Sequence, residues 1–150
     1  MDVTSLYTNI PREEGITTVC EAYEEFYEEN PPIPTRYLRE MRSLILQENL
    51  FQFNEKDYLQ THGTAMGTKM AVAFANIFMA KLEKEILRQS TTKPIFWKRF
   101  IDAVISMWNK SRDKIEDFLE KSNSFHPTIK FAAEISRDRN HILRHESVQR

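Results

Sequence analysis

The sequence predicts an α+β fold, and three observations carry that expectation. Short apolar, aromatic-rich runs bounded by turn residues occur twice, at Leu50–Gln60 and around Asp102, and read as β-hairpins. Before, between and after them lie longer stretches whose apolar residues recur at helical spacing. The 150 residues, 41% hydrophobic, suit one domain with its own core. The expected order is strand, two helices, hairpin, helix, hairpin, helix, strand, which suggests an antiparallel sheet covered by helices on one face.

Residues 1–8 look like the end of a strand, with Val3, Leu6 and Tyr7 strand-compatible. Asn9 is a plausible N-cap for the first helix, and Pro11, Glu13 and Glu14 suit its first turn. Ile16, Val19, Cys20, Tyr23, Phe26 and Tyr27 form one apolar face, and the acidic run Glu21–Glu29 reads as the solvated one. Asn30-Pro31-Pro32-Ile33-Pro34 is a stiff connector. Thr35 then caps a second helix in which Leu38, Met41, Leu44 and Ile45 make the expected buried stripe. Leu50–Phe53 and Asp57–Gln60 flank a turn at Asn54-Glu55-Lys56.

Two of the chain's three glycines fall in Thr61–Thr68, a loop suited to positive φ and to close approach of another backbone or a ligand. A long helix over Lys69–Gln89 follows, with Met70, Phe74, Ile77, Phe78, Leu82 and Ile86 in its stripe; Ala71, Ala73, Ala75 and Ala80 allow tight packing. The run Arg99–Trp108 places Asp102 between two apolar strands, where a carboxylate is costly to bury unless it sits at a turn or binds a cation. Arg112–Ser122 is an amphipathic helix with Ile115, Phe118 and Leu119 inward, and Ile129–Ile135 a strand. Residues from Arg137 onward are polar and lack a clear period.

Net charge is −1, so no global field draws the chain onto polyanions, and the run Lys93, Lys98, Arg99 reads as a solvated face. The single cysteine, Cys20, excludes an internal disulfide and a cysteine-based metal site and fits a reducing compartment. No apolar run approaches the ~18 residues of a membrane span, and the N-terminus lacks a secretory pattern. A soluble intracellular protein without membrane contact is the expectation.

Asp2 and Asp102 carry the chemistry. Two carboxylates at strand ends that meet are suited to hold divalent metals about 4 Å apart over a reacting phosphate. Taken alone, each aspartate reads as a turn or capping residue. Their combination with the glycine segment is more specific. Asp-Val-Thr-Ser-Leu-Tyr-Thr-Asn-Ile-Pro, Gly-Thr-Ala-Met-Gly-Thr-Lys-Met-Ala before Phe-Ala-Asn-Ile-Phe-Met, and Arg-Phe-Ile-Asp occur in that order. They resemble motifs A, B and C of the reverse transcriptase palm, with wording closest to Penelope-like retroelements, over residues 1–136; residues 137–150 form a divergent tail.

The resemblance implies a ferredoxin-like or RRM-like palm and RNA-directed DNA polymerase activity. It implies two Mg²⁺ ions held by Asp2 and Asp102 as the catalytic carboxylates, with RNA template, DNA primer and dNTP as partners. Tyr7 would pack under the incoming sugar, Met66 and Gly67 would lie against the nascent base pair and template, and Asn76 matches the asparagine of the following helix. Tyr7 also reads as a core tyrosine, Asn76 as a helix-face residue bonded locally, and Lys130 as a solvent-exposed strand lysine. Two positions depart from the pattern: Ala103 stands where the family's hairpin has a second aspartate, and Val72 where a proline is usual. No fingers or thumb segment is recognisable, so the expectation is an incomplete palm, weak nucleic-acid binding and a catalytically impaired or inactive remnant as the alternative.

Overall fold

The computed structural model describes residues 1–136; the polar tail, 137–150, lies outside the described residues. The chain is α+β. Its elements are β1 (Asp2–Val3), α1 (Leu6–Asn9), α2 (Arg12–Tyr27), α3 (Thr35–Gln47), β2 (Leu50–Phe53), β3 (Lys56–Leu59), α4 (Ala71–Gln89), β4 (Phe96–Phe100), β5 (Ala103–Met107), α5 (Arg112–Ser124) and β6 (Phe131–Ala132). An antiparallel four-stranded sheet runs in the order β4-β5-β1-β6, and β2 pairs with β3 alone.

Strand alternation gives the main sheet two unlike faces. Val3, Val104 and Phe131 are buried on one side, where Trp97 and Phe118 meet edge to face and Phe74, Phe78 and Met79 of α4 complete the core. Phe96, Lys98, Phe100, Ala103, Ile105 and Met107 are exposed on the other.

β1 ends earlier than the sequence suggests. Ser5 takes a left-handed conformation (φ 48°, ψ 46°) and turns the chain into α1, which brings Leu6 and Ile10 into the core one helical turn apart. Asn9 therefore caps nothing: it closes α1, its Nδ2 donates to the Thr4 carbonyl, and Pro11 occupies the N-cap of α2. Pro34, not Thr35, holds that position in α3.

Burial in α2 stops after Cys20, with Tyr23 half-buried, so Phe26 and Tyr27 project from the domain while the acidic face is solvated as expected. The Cys20 thiol is buried, and desolvation pushes it up from its ordinary range, leaving it neutral and a poor nucleophile.

Of the expected stripe of α3 only Leu38 turns inward. Met41, Leu44 and Ile45 are exposed, Leu44 by 61%, and the face turned inward holds Leu38, Arg39, Arg42 and buried Leu46. Arg39 donates to the Thr17 hydroxyl of α2, and burial lowers the pKa of Arg42, whose Nε and Nη1 have no partner.

α4 begins at Ala71 rather than Lys69; Ala71 and Ala75 are buried, whereas Ala73 and Ala80 face solvent. Glycine 15 in α2 explains part of this tight fit: a Cβ there would overlap the Phe74 ring, with Cε1 at 2.9 Å. The β2–β3 hairpin forms, but its turn is two residues, Asn54-Glu55, both at positive φ, the I′ signature, and Lys56, expected in the turn, pairs with Phe53. The last strand shrinks to Phe131–Ala132, although Ile129 before it is fully buried. Lys130 is exposed, and its Nζ donates to the carbonyls of Asn123, in the last turn of α5, and of His126 just past it. No helix among the described residues is long and apolar enough to cross a membrane.

Candidate functional site

The sheet brings the backbone of Asp2 next to the turn that carries Asp102. Met1 and Val104 exchange both backbone hydrogen bonds, so the next pair, Asp2 and Ala103, is non-hydrogen-bonded, the kind in which side chains stand closest. One step further, the Val3 N–H donates to the carbonyl of Asp102 at 2.9 Å. Asp2 thus sits beside the turn that carries Asp102. On its other side Asp2 pairs with Ala132, so alanines flank it on both neighbouring strands. Asp2 is half-buried and Asp102 exposed.

Asp102 is the second residue of a two-residue turn, since β4 and β5 close at Phe100–Ala103. The first residue, Ile101, has φ 56°. A positive φ at the first turn position alone is the II′ geometry, which normally takes glycine. A β-branched residue there costs about 1–3 kcal/mol and persists only where its surroundings hold it.

What holds it is Arg99. Its Nη1 donates to the Ile101 carbonyl at 2.8 Å and to Asn76 Oδ1 at 2.6 Å, and its Nη2 to the Asn76 carbonyl at 3.2 Å. Nε pairs with Glu83 Oε2 at 3.0 Å, with side chains 9% and 12% exposed, and Glu83 Oε1 accepts from the Trp97 indole at 3.0 Å. Arg99 is therefore not part of a solvated basic run. Strand alternation puts it with Trp97 on the core side, and a carboxylate on α4 neutralises it there. Lys93 and Lys98 remain exposed. Asn76, half-exposed on α4, directs its side-chain oxygen to this network.

The sequence carries a signal for this cluster: Glu83 interrupts the otherwise apolar row Met79, Glu83, Ile86 of α4. A lone carboxylate on a buried helical face requires a buried cation, and Arg99 is the one that alternation turns inward.

The glycine segment docks on the chain just after β1. Gly63 has φ 64°, and a Cβ on it would lie 2.5 Å from both Thr8 Cα and the Tyr7 carbonyl oxygen. The Thr64 N–H donates to that same carbonyl at 2.8 Å, and Arg12 bonds the carbonyls of Gly63, at 2.9 Å, and Gln60. Tyr7 itself is half-buried against the core. Gly67 differs: nothing lies within 4 Å of where its Cβ would stand, and neighbouring Met66 is exposed. Met66 and Gly67 thus border open space, whereas the close backbone approach is at Gly63.

Asp2 and Asp102 would be the residues to hold a divalent metal here, and they do not form a dedicated protein cage. Among the described residues no group of three His, Cys, Asp or Glu side chains converges. Mg²⁺ is commonly held by one or two carboxylates together with water and substrate phosphates, and a pair of aspartates matches that donor set. Comparison of the chain with protein-family models, with curated proteins and with solved structures finds no match.

Proposed function

We propose that this chain is a reverse transcriptase palm, of the Penelope-like kind, which performs RNA-templated nucleotidyl transfer with Mg²⁺ at Asp2 and Asp102. The observation that supports the reading is the register of β1 against β5, which pairs Asp2 with Ala103 and so puts it one residue from the turn that bears Asp102. Bound there, two ions would activate a primer hydroxyl and stabilise the departing pyrophosphate. The residues of the chain would supply the rest. Asp2 and Asp102 hold the ions, Tyr7 bounds the sugar, and Met66 and Gly67 border the nascent pair. Phe96, Lys98 and Phe100 share the exposed face of β4, which offers rings and one cation to a primer strand.

A second reading, a binding module without catalysis, is favoured by one specific position. Ala103 stands directly opposite Asp2, where the motif would have another carboxylate.

Primer extension on an RNA template separates the two. The palm reading expects Mg²⁺-dependent incorporation that falls at least about 100-fold in Asp102→Ala, because metal stabilisation of the transition state is worth several kcal/mol. Incorporation no greater than that of Asp102→Ala, with the template–primer duplex still bound, supports the binding module instead.

A further inference from the structure

Taking Asp102 as a metal ligand, as proposed above, we infer that Arg99 is the positioning residue that sets the direction of its carboxylate, with Asn76 orienting Arg99. The Ile101 carbonyl belongs to the peptide group joining Ile101 to Asp102. Fixing that oxygen fixes the plane of the peptide, and with it ψ of Ile101 and φ of Asp102. The Cα–Cβ bond of Asp102 follows from those angles. The turn is of a type that disfavours a β-branched first residue, so without a clamp its peptide has reason to flip.

Arg99 fits the task by its shape. A guanidinium presents donors in a rigid fork, and here it reaches Glu83, both oxygens of Asn76 and the turn carbonyl together. Glu83 neutralises the charge, and Trp97 holds Glu83. Asn76, with its side-chain and backbone oxygens both on Arg99, ties the plane of the guanidinium to α4. The helix that follows the Met66–Gly67 loop and the turn that bears Asp102 are therefore joined through one side chain.

Two mild variants test this. Asn76→Ala removes one acceptor and leaves the Arg99–Glu83 pair, and Arg99→Lys keeps the charge but loses the fork. Both are compared with wild type by thermal melting, by NMR exchange broadening at residues 101–103, and by Mn²⁺ titration followed by electron paramagnetic resonance. Asp102→Ala serves as the reference without a ligand. The expected result is a folded Asn76→Ala protein with new exchange broadening at the turn and Mn²⁺ binding weakened about 5- to 20-fold, and a larger change in Arg99→Lys. In primer extension the loss falls on kcat more than on KM. Turn signals like those of wild type in both variants, with Mn²⁺ affinity within about twofold, would overturn the inference. If wild type and Asp102→Ala bind Mn²⁺ equally, the metal reading fails, and the NMR comparison still decides whether Arg99 sets the turn.

Discussion

Gly63→Ala unfolds at markedly lower urea concentration than the wild-type chain, with a loss on the order of 3 kcal/mol. Two costs add. A left-handed backbone conformation costs an L-residue about 1–2 kcal/mol, and forcing a methyl group into a filled space costs about 1–3 more. The space is filled by backbone, Thr8 Cα and the Tyr7 carbonyl oxygen, which cannot step aside as a side-chain tip can. The Thr64–Tyr7 bond and both Arg12 bonds are strained by the same displacement. Gly67→Ala is the contrasting case. Its Cβ enters open space at an ordinary φ, so stability changes by less than about 0.5 kcal/mol. If Gly67 borders the template as proposed, bulkier residues there lower incorporation without lowering the urea midpoint.

Ala103→Asp makes stability depend on divalent metal. The new carboxylate faces Asp2 in the closely spaced type of cross-strand pair, and Asp102 is its chain neighbour. Like charges directly opposite in a sheet destabilise by about 0.2–1 kcal/mol, so the variant melts below wild type in chelator. With Mg²⁺ or Mn²⁺ present the order reverses, because a ligand that binds only the folded state stabilises it in proportion to its affinity. A third carboxylate raises that affinity by roughly tenfold or more. Melting curves with and without metal measure both halves. Equal melting temperatures in chelator and in metal would mean that position 103 does not face a metal site.

Both hairpins and the long helix were legible in the sequence because local signals fix them: Asn54 at a turn, apolar runs on either side of Asp102, and the apolar period of α4. The meeting of Asp2 with the Asp102 turn was an expectation from paired motifs, and the register of β1 with β5 gives it a geometry. Other features depend on what an element packs against. Periodicity finds an apolar stripe on α3 but does not say which face α2 covers, and the inward face carries Leu38, Arg39, Arg42 and Leu46 rather than Met41, Leu44 and Ile45. Arg99 looked like surface charge because Glu83 and Asn76 are on a different element, α4, 16 and 23 residues upstream. Gly63 and Gly67 are alike in sequence; only the backbone of Tyr7 and Thr8 distinguishes them.

The central claim is that Asp2 and Asp102 act as one metal site. The most direct measurement is Mn²⁺ binding by electron paramagnetic resonance, in the presence of a nucleoside triphosphate, for wild type, Asp2→Asn and Asp102→Asn. Each substitution removes a charge and leaves the side-chain volume nearly unchanged. A shared site predicts that either single variant loses most of the protein-bound Mn²⁺ signal and that the double variant loses little more. Wild-type binding in either single variant, or losses that simply add, would contradict it.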